Sequence, residues 1–128
     1  AGFEIRTHLG TTAVFADVSR PTPHKFSKYF VNVDALDALV PEVEKFSDGD
    51  VLYIDEIAPM ELFSDKFKRL VQRYMNSKNI CLATVKQDYE DDFIQSIKKR
   101  GDVMLVQITP ENREEKEIFI RELVDKLG

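Results

Sequence analysis

Val51-Leu52-Tyr53-Ile54-Asp55-Glu56-Ile57 is the stretch on which the fold turns, and Ala58-Pro59-Met60-Glu61 continues it. Four apolar residues lead into two adjacent carboxylates. A strand inside a parallel sheet reads as an uninterrupted apolar run because both of its faces are covered. Ligands in such sheets bind beyond the carboxyl ends of the strands, so Asp55 and Glu56 fall where a ligand would sit. Two readings of the pair stand at this level. In a phosphate-hydrolysing sheet, the first carboxylate serves a metal shell and the second positions a water. In any α/β protein, the same residues serve to end a strand and begin a turn.

Working outward, Ser47-Asp48-Gly49-Asp50 is a turn that feeds this strand. Residues Met60 to Asn76 carry Leu62, Phe63, Phe67, Leu70, Val71 and Met75 at helical spacing. Asn79 to Val85 predicts a second apolar strand, Asp91 to Arg100 a short helix closed by Gly101, and Val103 to Ile108 a third strand. A final helix starts at Pro110 or Glu111. This strand–helix alternation argues for βαβ units and a parallel sheet covered by helices. The first half reads differently. Phe3 to His8 alternates as a half-buried strand, Gly10-Thr11 makes a turn, and Thr12 to Val18 is the antiparallel partner. Two prolines make Ser19 to Lys25 a loop. Lys28 to Val33 predicts a short strand, and Asp34 an N-cap for a helix reaching Phe46 that kinks or restarts at Pro41. One α/β domain over residues 1–128 with an antiparallel N-terminal hairpin accommodates both halves.

Composition narrows the function classes. With 128 residues the chain can build one core and not two. A net charge of -5 gives no general attraction to nucleic acid or to an anionic membrane, so neither is an expected partner. No run approaches the ~20 apolar residues of a membrane span. The single cysteine, Cys81, lies in the apolar run Ile80-Cys81-Leu82-Ala83; it is expected to be a buried structural thiol in a cytoplasmic protein. His8 and His24 are too isolated for a metal site. Asp88-Tyr89-Glu90-Asp91-Asp92 lacks the glycine-centred loop of a Ca²⁺ site and reads as an acidic helix start, with Lys98-Lys99-Arg100 as its cationic end. Glu61 is open to two readings: a cap for the following helix, or support for Glu56.

Several segments together resemble the THEP-type (cancer-related) nucleoside-triphosphatase family of P-loop NTPases. They are Gly2-Phe3-Glu4-Ile5, Lys28-Tyr29-Phe30-Val31-Asn32, Asp55 to Glu61, Leu82-Ala83-Thr84-Val85 and Thr109-Pro110-Glu111-Asn112-Arg113. Their joint order is more specific than any one of them. The resemblance implies a P-loop NTPase-like three-layer sandwich, mostly parallel in its sheet, that hydrolyses ATP, GTP and other triphosphates with Mg²⁺. Carried over by position, Asp55 would hold the Mg²⁺ shell and Glu56 would position the lytic water. Lys28 would reach the phosphates, and Asn112 and Arg113 would lie near the base. The expected partner is a nucleoside triphosphate, and the expected state a monomer.

The chain departs from that family in having no Gly-x-x-x-x-Gly-Lys-Ser/Thr. Its glycines, at 2, 10, 49, 101 and 128, stand isolated. Such a loop cradles the phosphates with its N–H groups, neutralises them with its Lys and helps hold Mg²⁺ with its hydroxyl. The expectation is that this segment, with the strand and helix that carry it, lies upstream of Ala1. The alternatives are a non-catalytic nucleotide- or protein-binding module that lost the loop, or a second chain that completes the site. In the loop before Lys28, Lys25 stands where the resemblance leads one to expect arginine. A lysine makes no planar bidentate phosphate contact.

Overall fold

The computed structural model describes residues 2–6, 12–17, 22, 24–26, 29–86, 89 and 91–127. The N-terminal strands are β1 (Gly2–Arg6), β2 (Thr12–Asp17), β3 (His24–Phe26) and β4 (Tyr29–Val31). They form an antiparallel sheet in the order β1-β2-β4-β3. The expected hairpin is therefore present, in larger company than the sequence suggested. β3 falls where two prolines predicted only loop. Thr22 supports it, its hydroxyl donating to the Val31 carbonyl at 2.7 Å and lying 3.0 Å from the His24 carbonyl.

Helix α1 (Val33–Val43) follows β4 at once. Its N-cap is Asn32 rather than Asp34: Asn32 Oδ1 accepts from the Ala35 N–H at 3.0 Å, and Asp34 occupies the first turn, where a carboxylate suits the helix dipole. The helix neither restarts at Pro41 nor reaches Phe46; it runs through the proline and ends at Val43. Pro41 sits in the last turn, where only one ladder bond is lost. Leu36, Leu39 and Val40 give α1 a buried face at helical spacing.

The second half opens on β5 (Leu52–Ile57), passes through a 3₁₀ turn (Glu61–Phe63) into α2 (Asp65–Asn76), and returns as β6 (Cys81–Val85), parallel to β5. This is the βαβ unit the apolar runs predicted. Phe67, Leu70, Val71 and Tyr74, spaced i, i+3, i+4 and i+7, bury one side of α2. One core cluster gathers Val31, Leu36, Ile57, Leu62, Phe67, Val71, Ile94 and Ile97, so the end of β4 and the end of β5 pack into a common interior. A second joins Val40 and Leu52 to Leu70 and Tyr74, whose hydroxyl donates to the Val43 carbonyl at 2.6 Å and closes the end of α1. Helices α3 (Asp92–Lys98) and α4 (Arg113–Leu127) complete the chain. Asp91 caps α3 through Oδ1, as its acidic sequence suggested. At the other end, Arg100 is less a dipole partner than a bridge. It pairs with Asp102 through two 2.8 Å hydrogen bonds and donates to the Met75 carbonyl at the end of α2.

The third predicted strand is absent. Residues 103–109 have no regular structure, and Met104, Leu105 and Ile108 are 62%, 59% and 44% exposed. An apolar run becomes a strand only where a neighbour supplies its ladder, and among the described residues β6 pairs with β5 alone. The last helix accordingly begins at Arg113, after a turn spanning 110–112, rather than at Pro110 or Glu111.

Ser64 locks the two halves together. Fully buried, it caps α2 by accepting from the Phe67 N–H at 2.9 Å and donates to Asp37 Oδ1 on α1 at 2.5 Å. Ser64→Ala removes both bonds, and a loss of about 1–3 kcal/mol is expected. A lower urea midpoint with an unchanged slope is the expected observation.

Candidate functional site

The end of β5 is built around an irregularity. Ile54 pairs with Ala83, but the next pairing is Ile57 with Val85: three steps along β5 match two along β6. One residue is extra, as in a β-bulge, a device that re-aims side chains beside functional sites. Regular alternation would point Glu56 to the same face as Leu52 and Ile54, and leave Ile57 with exposed Tyr53. Instead, Asp55 and Glu56 are both exposed and Ile57 is buried to 1%. The extra residue turns both carboxylates outward and returns the chain to the core.

The bulge is held from both strands. Thr84 Oγ1 on β6 donates to the Asp55 carbonyl. Tyr53, two residues before Asp55 and so on its side of the strand, donates its phenol to Asp55 Oδ1 at 3.1 Å. That hydrogen bond and the negative charge beside it raise the phenol's pKa. Tyr53 and Thr84 were not anticipated as site residues. Their signal was available only in part: the i, i+2 spacing predicts that Tyr53 and Asp55 share a face, whereas Thr84 meets Asp55 only through sheet pairing.

Beyond Ile57 the chain folds under itself. Glu61 N–H donates to the Ala58 carbonyl at 3.2 Å, Leu62 N–H to that of Pro59 at 3.2 Å, and Ser64 N–H to that of Glu61 at 3.0 Å. Glu61 is left partly buried, and its Oε2 is closed off from solvent with no hydrogen-bond partner among the described residues. Removal from water pushes its pKa up to about 7; the backbone N–H groups of Glu61 and Ala58 act the other way, and the charge of Glu56 adds to the rise. The residue does not cap α2, a role Ser64 fills.

The other expected site residues make no described hydrogen bond to this end of β5 or fall outside the described residues. Lys28 is outside the described residues. Asn112 organises its own loop: Oδ1 accepts from the Thr109 N–H at 2.8 Å and Nδ2 donates to the Gln107 carbonyl at 3.2 Å. Arg113 is exposed and pairs with Glu117 one turn along α4 at 3.1 Å. No described hydrogen bond or ion pair joins either residue to β5. Asn112 borders an open depression of about 550 Å³ whose lining includes Met104, Val106, Gln107, Lys116 and Phe119. Cys81 is partly buried and its thiol's pKa is raised by burial, as befits a structural residue.

Among the described residues, no three His, Cys, Asp or Glu side chains converge on a metal position. Mg²⁺ asks for less, since it keeps several waters and takes one or two carboxylates together with substrate phosphates. An exposed Asp55 with one oxygen engaged by Tyr53 and Oδ2 in no described hydrogen bond suits that demand.

An open α/β fold, with paired carboxylates at the carboxyl end of a parallel strand, defines a protein of the P-loop NTPase-like class. The NTPase family sequence profile matches residues 1–120. The nucleoside-triphosphatase THEP1 of Thermotoga sp. (strain RQ2) is 36% identical over 88% of this chain and 65% of its own length. THEP1 of Methanothermobacter thermautotrophicus is 35% identical over 99% of this chain and 70% of its own. The crystal structure of THEP1 from Aquifex aeolicus superposes with a TM-score of 0.83 at 31% identity, covering 96% of this chain and 76% of that one. The chain belongs to the THEP-type nucleoside-triphosphatase family. It spans just under two thirds of the Thermotoga relative's length.

Asn112→Ala is expected to release the loop at 107–112, costing about 1–2 kcal/mol for its lost bonds. Faster amide exchange at Thr109 and Asn112, with α2 unaffected, is the expected result.

Proposed function

We propose that this chain forms the larger part of a nucleoside triphosphatase that releases the terminal phosphate of ATP, GTP and related nucleotides. The observation that carries the proposal is the bulge that turns both Asp55 and Glu56 outward beyond the end of β5. Membership of the THEP-type family supports the reaction class, and the relatives' names supply the substrate class.

In this reading the two carboxylates divide the work. Asp55, steadied by Tyr53 on one oxygen, would hold Mg²⁺ through the other, and the ion would offset charge on the terminal phosphates. Glu56 would accept a hydrogen bond from the attacking water, align it with the phosphorus and take its proton as the new P–O bond forms and the P–O bond to the departing nucleoside diphosphate breaks. The loop from Gln107 to Arg113 offers a rim with apolar and polar groups at which a base could rest. Lys28 is assigned to the phosphates by sequence position alone. The phosphate cradle is expected from a segment outside residues 1–128, and the protein is expected to act in the cytoplasm as a monomer.

Glu56→Gln in the full-length protein is expected to lower kcat by about a hundredfold or more while nucleotide affinity stays within a few-fold. Asp55→Ala is expected to weaken Mg²⁺-dependent nucleotide binding as well as turnover. Calorimetry with a non-hydrolysable triphosphate, with and without Mg²⁺, separates the two roles. Near-normal phosphate release by the Glu56→Gln variant would remove Glu56 from the mechanism.

A further inference from the structure

Glu61 is the one described residue with a buried side-chain oxygen left without a hydrogen-bond partner, and it lies within the electrostatic reach of Glu56. The backbone N–H groups of Glu61 and Ala58 favour its anion but do not outweigh its removal from water, and a carboxyl so placed holds a proton more tightly than an exposed one. Among the described residues, the titratable group packed on the 3₁₀ turn from the N-terminal sheet is His24, whose ring lies 5.2 Å from that of Phe63. α1 carries Asp34, Asp37 and Glu42; α2 carries Asp65, Lys66, Lys68, Arg69 and Arg73; β5 carries Asp55 and Glu56. No described ion pair reaches Glu61 from any of them, and Glu56 is the charge that bears on it, with the same sign.

We propose that Glu61 is a positioning residue that works as a neutral carboxylic acid, leaving Glu56 as the only anion of the two where the nucleotide's terminal phosphate is attacked. The proposal rests on the role given to Glu56 above and adds a condition to it. Its physical basis is the closed-off Oε2 in a turn that is fixed at both ends. The Glu61 N–H is bound to Ala58, and its carbonyl accepts from Ser64, which caps α2 and reaches Asp37. The backbone is held this way with Oε2 closed off from solvent. If it lost its proton, a second negative charge would stand near Glu56 and oppose an incoming polyphosphate. The chemical step stays balanced without Glu61: the water's proton goes to Glu56, while Glu61 takes no part in the transfer, and the fraction of protein with Glu61 neutral falls as pH rises through about 7.

The sign of the linkage is fixed by burial. The folded chain holds this proton more tightly than the unfolded chain, so the associated stabilisation is complete below pH 4.5 and is lost as pH rises through about 7. The test is a carboxyl ¹³C NMR titration of the full-length protein, with the Glu61 signal assigned by its loss in Glu61→Gln. Glu61 is expected to titrate near pH 7, and at lower pH in the Glu56→Gln background, where the like charge is gone. Titration with the ordinary surface glutamates would overturn the proposal, and so would a midpoint indifferent to Glu56→Gln. Two further readouts bear on it. Glu61→Gln should raise Tm by roughly 2–4 °C at pH 8 but not at pH 4.5. In the wild type, kcat/KM for ATP should fall about tenfold between pH 7 and pH 8.5, a decline the Glu61→Gln variant should reduce to about twofold or less. An equal decline in both proteins would overturn the positioning role. Normal turnover in Glu56→Gln alone would instead overturn the role of Glu56 and leave the Glu61 titration standing.

Discussion

The extra residue in β5 is the constraint on which the rest depends. A strand reads its faces strictly by parity, so two consecutive carboxylates cannot both leave a covered sheet unless the parity is broken. Breaking it exposes a backbone carbonyl, that of Asp55, which the ladder no longer serves, and Thr84 takes that carbonyl. It also restores Ile57 to the interior, where it meets Leu62, Phe67 and Val71. Without that return, the 3₁₀ turn would lose its apolar footing, and α2 would lose the start that Ser64 gives it.

From this follows the layout of the acidic end. Asp55 and Glu56 are exposed, and Glu61, which follows through one short turn, is partly buried with Oε2 closed off from solvent. Carboxyls in different degrees of contact with water acquire different proton affinities without any change of chemistry. The contrast between an exposed pair and a shielded third member comes from backbone geometry, since Pro59 and the 3₁₀ bonds leave the chain little choice of route.

Much of this was legible in the residues. The apolar runs before Asp55 and around Cys81 announced parallel strands, and the spacing of Phe67, Leu70, Val71 and Tyr74 announced α2 and its buried face. These features depend on periodicity, which sequence records directly. The bulge does not, because it is a mismatch between two strands and neither one encodes it alone. Asn32 displaced Asp34 as a cap for a similar reason: both residue types suit the position, and the end of β4 decides which one occupies it. Val103 to Ile108 has the composition of a strand, but a ladder needs a neighbour, and none of the described strands stands beside it. Asn112 lies in the turn before α4 and Arg113 opens that helix, and their hydrogen bonds to Gln107, Thr109 and Glu117 could not be foreseen from type and position.

The run from Val103 to Ile108 also bears on how the chain behaves in company. Six consecutive residues without charge or proline, apolar but for Gln107 and solvent-exposed in part, have the make-up of a segment that stacks into cross-β assemblies. Such windows are commonly guarded by charges at their margins. Here the margins are Arg100 and Asp102 on one side, Glu111 and Arg113 on the other. The Arg100–Asp102 fork therefore has a second effect beyond bridging to α2. It sets a pair of fixed, hydrated charges against the advance of a second chain along the same six residues.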